Sequence, residues 1–212
     1  MWTYDTYSNT ISSYLEAGYG VGSFEEYLKD KPDKFVVLRH DIDFDPSILL
    51  PMLEVERGLG VSSTTFFRVV ARGYNFLSAP VFDLLSLIND FGSSAGLHLD
   101  IGVETCWGKS LDDSANIQRE IYNLVAPESM RGFSLHQPSN NGGYDFADTL
   151  VDRWNIDYHA YDQHFFKDMK YLSDSGGSWR EGHWSEKLNL FEKLQVLTHP
   201  VWHHNGVAQR SF

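Results

Sequence analysis

The sequence predicts an α/β fold with a parallel sheet, built either as a compact, imperfect barrel or as an open doubly wound sheet. Three observations carry this expectation. Short β-like runs alternate with helical patterns along most of the chain, which implies parallel strands joined by right-handed crossovers. Seven such runs fit into 212 residues, whereas a full eight-fold barrel uses about 250. No Gly-rich phosphate loop follows the first run, which weighs against a nucleotide-binding sheet.

The elements follow in order. Ser23-Phe24-Glu25-Glu26 is a capping-box pattern, in which serine and glutamate satisfy free amides at a helix start. Residues 1–34 are expected as a helical N-terminal segment. The first strand is Phe35–Leu38. Asp45-Pro46 opens a helix toward Gly58 and Gly60, with Pro46 early enough to cost no hydrogen bond and Pro51 expected to kink it. The second strand is Thr64–Val69. Ser78-Ala79-Pro80 starts a helix whose apolar stripe is Val81, Leu84, Leu85 and Ile88, the spacing of one helical face. Strand three is Ala95–Leu99, followed by a helix over Asp112–Val125. Strand four is Gly132–Leu135, with a short helix over Asp145–Trp154. Strands five and six lie near Asp157–Tyr161 and Lys170–Ser173. A short helix over Ser185–Lys193 leads to strand seven, Leu194–Leu197. The barrel proper is expected over 35–200 and a tail over 201–212, in one domain.

Composition narrows the function classes. Hydrophobic residues make up 42% of the chain, enough for a core without staples. The single cysteine, Cys106, excludes an intramolecular disulfide and a Cys-rich zinc site. The formal net charge of -12 argues against nucleic acid or an anionic membrane surface as the main partner. No apolar run reaches membrane-spanning length. The start, Met1-Trp2-Thr3-Tyr4-Asp5, has neither the basic nor the apolar region of a secretory signal, so a cytoplasmic location without membrane insertion is expected. The six Trp suit sugar faces, but equally a core.

The strand ends carry the chemistry. Asp41 and Asp43 follow strand one two residues apart, and that spacing puts both carboxylates on one face. Two like charges there need a metal, an arginine or a proton beside them. Strand three ends in His98 and Asp100, strand four in His136, strand six in Asp174 ahead of Trp179 and Arg180, and strand seven in His199. The carboxyl ends of parallel strands are the functional face of such folds. Singly, each has a plain reading: His98 and His136 as satisfied core histidines, Asp41 or Asp43 as helix caps, Asp100 as a solvated strand end, Trp179 as hydrophobic wall. Together they point to a divalent-metal site. Imidazole and carboxylate without thiolate suit zinc or another first-row divalent ion. Arg39 shares the parity of Asp41 and reads as its buried counter-charge. His40 has the opposite parity and reads as structural. His203 and His204 are expected in solvent.

These residues resemble the polysaccharide deacetylases of the NodB-homology group, carbohydrate esterase family 4. The resemblance runs from about Val36 to Pro200. It rests on Leu38-Arg39-His40-Asp41-Ile42-Asp43, Ser63-Thr64-Thr65-Phe66-Phe67, Gly96-Leu97-His98, His136-Gln137-Pro138 in place of Arg-x-Pro, the Asp174 to Trp179 segment, and Leu197-Thr198-His199. It is to a divergent His-Asp-x-Asp branch that includes proteins similar to O-antigen biosynthesis components. The resemblance implies a distorted (β/α)7 barrel and metal-dependent removal of an N-acyl group, N-acetyl above all, from an amino sugar in polysaccharide or lipopolysaccharide biosynthesis. It implies Asp41 as general base, Asp43 and His98 as metal ligands, and His199 as general acid. The family's second histidine ligand lies four residues after the first, where this chain has Gly102. His136 is therefore expected to supply the missing imidazole, with Asp100 in reserve, and Arg39 or Arg180 to replace the motif arginine beside Asp41. Trp179, Arg180 and Asp174 are expected to bind substrate, a small-molecule or lipid-linked amino sugar. The alternative is an inactive barrel that binds glycans or a partner.

Overall fold

A computed structural model describes residues 2–138 and 143–203. The first helix, α1 (Tyr4–Glu16), is capped by Thr3, whose hydroxyl accepts from the Thr6 amide. It buries Tyr7, Ile11 and Tyr14 on one face. A three-residue strand, β1 (Gly20–Gly22), follows, then α2 (Phe24–Asp30), where Ser23 Oγ accepts from the Glu26 amide as the capping box predicts, while the Ser23 amide donates to Ser62 Oγ rather than to Glu26. The N-terminal segment is thus not purely helical: β1 joins the sheet.

Strand β2 (Phe35–Ile42) is buried at all eight positions, as a strand covered on both faces must be. Asp45 caps a 3₁₀ turn over Pro46–Leu49. The helix α3 (Leu50–Leu59) then starts afresh, with Pro51 in its first turn. Pro51 therefore produces no mid-helix kink, because its missing amide falls where a helix has no partner for one. Next come β3 (Thr64–Phe67), two residues shorter than expected, α4 (Ala79–Asp90), β4 (Ser94–Asp100), one turn α5 (Glu104–Trp107), α6 (Leu111–Val125), β5 (Gly132–His136) and α7 (Gly143–Trp154). All four stripe residues of α4 are buried. The chain continues through β6 (Tyr158–His159), one turn α8 (Gln163–Phe166), β7 (Lys170–Ser173) and β8 (Lys193–Thr198). The helix expected over Ser185–Lys193 is only a 3₁₀ turn, Trp184–Lys187, because strand pairing claims Lys193.

The strands are all parallel, in the order β6-β5-β4-β3-β2-β8-β7. The sheet curls into a partial barrel, and among the described residues no ladder joins β6 to β7. Side chains bridge this gap instead: Gln195 Nε2 donates to the carbonyls of Ala160 and Phe165 at 2.9 and 2.8 Å. On one edge of β2, β1 pairs with Phe35–Val37 and β3 with Arg39–Ile42, so two short strands share one side of the central strand. Helices α4, α6 and α7 pack one outer core and α1 another, with α3 contributing Leu53 to the first and Met52 to the second. Inside, Phe24 and Tyr27 of α2 close the floor against Phe35, Phe66, Tyr158 and Phe165. Two glycines make room there: a Cβ on Gly96 would lie 2.6 Å from the Gly132 carbonyl oxygen, and one on Gly132 would lie 2.2 Å from the Tyr158 ring. With the floor filled by aromatics, the polar residues of the inward faces are left at the carboxyl ends of the strands.

Candidate functional site

Arg39, Asp41 and Asp43 share the inward face of β2 and its exit, as their parity predicts. Arg39 is 0% exposed and Asp41 2%. Their contact is bidentate, with Arg39 Nε donating to Asp41 Oδ1 at 2.9 Å and Nη2 to Oδ2 at 2.7 Å. The guanidinium also donates to Gln195 Oε1 and Tyr161 Oη, and stacks 4.7 Å from the Tyr161 ring centroid. Burial pushes the Asp41 carboxyl up, but the Arg39 guanidinium, and after it His98, outweigh burial and hold it below the usual carboxylate range. Arg39, rather than Arg180, stands beside Asp41.

Asp43, His98 and His136 converge from β2, β4 and β5. Asp43 Oδ1 lies 3.5 Å from His98 Nε2 and 3.2 Å from His136 Nδ1, and the two ring nitrogens are 3.4 Å apart. A tetrahedral ion about 2.1 Å from each donor needs donors about 3.4 Å apart, so the three atoms outline one face of such a polyhedron. Asp43 Oδ1 is buried and accepts no hydrogen bond, an oxygen whose lone pairs face the two imidazoles unused. Burial opposes ionisation of Asp43, yet the adjacent His136 and His98 rings hold its carboxyl far below the ordinary range. His98 Nδ1 meets Ser134 Oγ at 2.6 Å. With the proton on Nδ1, Nε2 keeps its lone pair toward the cluster, as a ligating histidine requires. Burial lowers the His98 pKa, outweighing Asp41 and Asp43, and keeps the ring neutral. The donor set therefore fits a divalent ion.

Asp100, the reserve ligand, is turned away: it pairs with Arg68 and caps the Gly102 amide. Arg68, which the sequence did not single out, also comes within 3.9 Å of Asp43 Oδ1. It follows the end of β3, where no periodicity signals a partner.

His199 follows β8, with Nε2 3.7 Å from Asp43 Oδ2. Its Nδ1 meets Asp174 Oδ1 at 2.6 Å, and its backbone amide donates to both Asp174 oxygens at 3.0 Å. Burial pulls the His199 pKa down, but the Asp174 bond and charge more than reverse it. Asp174 was expected on the substrate wall. It is instead 0% exposed, lies behind His199, and has no oxygen free for a ligand. His203, expected in solvent, is buried with Nε2 3.4 Å from Asp174 Oδ2; His204 lies outside the described residues. His40 faces away from the site, 2.7 Å from Glu56 and 2.6 Å from Thr198.

A cavity of about 600 Å³ opens above the cluster. Asp41, Asp43, His98, His136 and His199 form its base, and Trp179 and the exposed Arg180 lie on its wall and rim. The aromatic wall of Tyr144, Tyr161, Phe166 and Tyr171 escaped the sequence reading. They come from α7, the turn after β6, α8 and β7, and follow neither the helical nor the strand period.

No protein-family model matches the chain, and no curated protein matches it. Solved structures do. A polysaccharide deacetylase from Bacillus cereus is similar with a TM-score of 0.54 at 11% identity, over 79% of this chain and 79% of that one. The catalytic domain of a peptidoglycan N-acetylglucosamine deacetylase from Eubacterium rectale is similar with a TM-score of 0.54 at 12% identity, over 81% and 79%. A family 4 carbohydrate esterase pseudoenzyme from Bacillus anthracis gives 0.52 at 14% identity, over 79% of this chain and 55% of that one. A mutant of a pseudoenzyme of this family, with restored enzymatic activity, gives 0.53 at 15%, over 79% and 57%. The chain thus spans little more than half the length of the pseudoenzyme chains. At these identities the likeness is one of fold: the chain has the distorted barrel of the family 4, NodB-type deacetylases.

Proposed function

We propose that the protein is a metal-dependent amide hydrolase that removes an N-acyl group, N-acetyl above all, from an amino sugar, free or lipid-linked. The observation that carries this reading is the Asp43–His98–His136 cluster, with its unbonded carboxylate oxygen, flanked by Asp41 and His199 at the base of an aromatic cavity.

Asp43 Oδ1, His98 Nε2 and His136 Nδ1 would hold a divalent ion, zinc by donor type. When bound, the ion acidifies water and polarises the acyl oxygen. Asp41 Oδ2, fixed by Arg39, keeps a lone pair toward the cluster and takes the proton of the attacking water. A depressed carboxylate is a weak base, and it would suffice for a water acidified by such an ion. His199 carries a proton on Nε2 and gives it to the amine nitrogen as the C–N bond breaks. Asp174 stabilises the imidazolium and fixes its tautomer. Trp179 walls the sugar, and Arg180 meets its polar groups at the rim.

The test is metal analysis together with acetate release from N-acetylglucosamine oligomers. The wild type should hold about one equivalent of zinc per chain and release acetate, and Asp41→Asn should hold the same zinc and release none. Intact turnover in Asp41→Asn sinks the base assignment, and a zinc-free, inactive wild type sinks the whole reading. One observation favours a second reading, a binding barrel: Gly102 stands where the resemblance expects an imidazole. Glycan binding without acetate release would select it.

A further inference from the structure

Tyr161 is tied to the same nitrogen as the proposed base. Arg39 Nη2 donates to Asp41 Oδ2 at 2.7 Å and to Tyr161 Oη at 3.0 Å. Two oxygens sharing one nitrogen in this way stand within about 6 Å of each other. The guanidinium also covers the phenol face, which fixes the ring as well as its oxygen. Tyr161 and Asp41 both line the cavity. A phenol oxygen accepts and donates. Arg39 and the neighbouring Tyr171 hydroxyl both act on its acceptor side, since each bond favours the ionised phenol, and no carboxylate or carbonyl oxygen among the described residues takes its proton in a hydrogen bond. Burial raises the phenol pKa despite Arg39, so the proton stays in place.

A water deprotonated by Asp41 sits about 2.8 Å from Oδ2, and the acyl carbon it attacks lies about 3 Å beyond. The acyl oxygen bonded to that carbon therefore lies within hydrogen-bond reach of a cavity-wall donor no more than about 6 Å from Oδ2. We propose that Tyr161 is a further catalytic residue, whose O–H donates a hydrogen bond to the acyl oxygen as the carbonyl becomes tetrahedral. The inference rests on the deacylation reading. Tyr161 makes and breaks no covalent bond: its proton stays on the phenol while the hydrogen bond strengthens toward the developing charge.

The test is Tyr161→Phe, which keeps the ring over Arg39. Expected is a fall in kcat of about 100-fold, with KM within about twofold and zinc content unchanged. A phosphonamidate that mimics the tetrahedral state should bind more weakly by a similar factor, while the deacylated product binds as before. Unchanged kcat, a loss confined to KM, loss of zinc, or equal weakening of analogue and product would each overturn the proposal. Tyr161→His keeps an N–H donor and should recover about tenfold over Tyr161→Phe. Should Tyr161→Phe not fold, a His variant that binds the analogue no better than the product decides against the role. A wild type without acetate release defeats the deacylation reading itself, whereas an active wild type with an equally active Tyr161→Phe defeats only this inference.

Discussion

Removing Arg39 should unfold the site from beneath, and the size of the effect follows from its burial. Arg39→Met keeps most of the side-chain volume and removes the charge. Asp41 then remains 2% exposed with both of its oxygens stripped of their donors. Breaking a buried pair from one side costs about 3–5 kcal/mol, because the surviving charge is left uncompensated. Asp41→Asn leaves the reverse problem, a fully buried guanidinium that keeps only Gln195 and Tyr161, and should cost about as much. The double variant removes both charges, so its cost should fall below the sum of the singles by about 2–3 kcal/mol. In a chain of 212 residues, each single variant should lower Tm by about 10 °C. The assay is urea unfolding of all four proteins, read as a double-mutant cycle. A coupling energy below about 0.5 kcal/mol would refute the reasoning, since it would mean that Asp41 does not depend on Arg39 for its charge.

Other expectations follow from the same geometry. His136→Ala should weaken zinc binding by at least about 100-fold in equilibrium dialysis, whereas Asp100→Asn should change it by less than about threefold; the reverse order would hand the third ligand to Asp100. Gly132→Ala drives a Cβ into the Tyr158 ring and should cost about 1–3 kcal/mol in urea unfolding, with no loss of zinc. The Asp174–His199 pair sets a pH window for stability. Asp174 is held low, against burial, by its bonds to His199 and by the His203 ring beside it, so its contribution is present above about pH 3.9 and lost as pH falls through its folded value. His199 is raised, so its contribution is present below about pH 6.5 and lost as pH rises through its folded value. Asp174→Asn should therefore differ most from the wild type in thermal unfolding between about pH 4 and 6.5. A difference independent of pH from 3 to 8 would contradict the pairing.

The parallel α/β fold was legible because its signals are local; that the sheet curls into a barrel came only from the family resemblance. The α4 stripe, the Ser23 cap and the two-residue period that puts Asp41 and Asp43 on one face all depend on neighbours in sequence. Strand β1 was not legible: Gly20-Val21-Gly22 reads as a turn, and only pairing with Phe35–Val37 makes it a strand. Helix α1 falls within the segment expected as helical, but its bounds were not legible, because the stripe of Tyr7, Ile11 and Tyr14 lies among Ser, Thr and Asn, which are weak helix formers. Asp174 shows the limit at the site. Sequence places an acid after a strand, but whether it faces the cavity or backs a histidine is decided by the turn that follows. His203 is buried for the same reason, since Asp174 draws it in from a segment that reads as surface. Arg68 and Tyr161 lie in loops, where only contacts from other strands give them partners.

Strand register explains how the cluster can form with Gly102 at the position the resemblance assigns to an imidazole. His98 pairs with Ser134, and Asp100 with His136. His136 is therefore two residues beyond the partner of His98, on the same face, in the diagonal relation that lets side chains of adjacent strands meet. The His98 and His136 rings stand edge to face, 5.2 Å between centroids. A ligand four residues after His98 would lie on a loop, and its place would depend on that loop. One on β5 is held by the ladder itself, and Ser134, which orients His98, belongs to the same strand. If His136 is the third ligand, His136→Ala should lose zinc affinity while β5 keeps its register, which the buried Phe133 and Leu135 hold. A histidine installed at Gly102 in the His136→Ala background should restore the affinity only in part, because Asp100 already holds the Gly102 amide. Full recovery of affinity in that double variant would show that the site does not depend on the β4–β5 register.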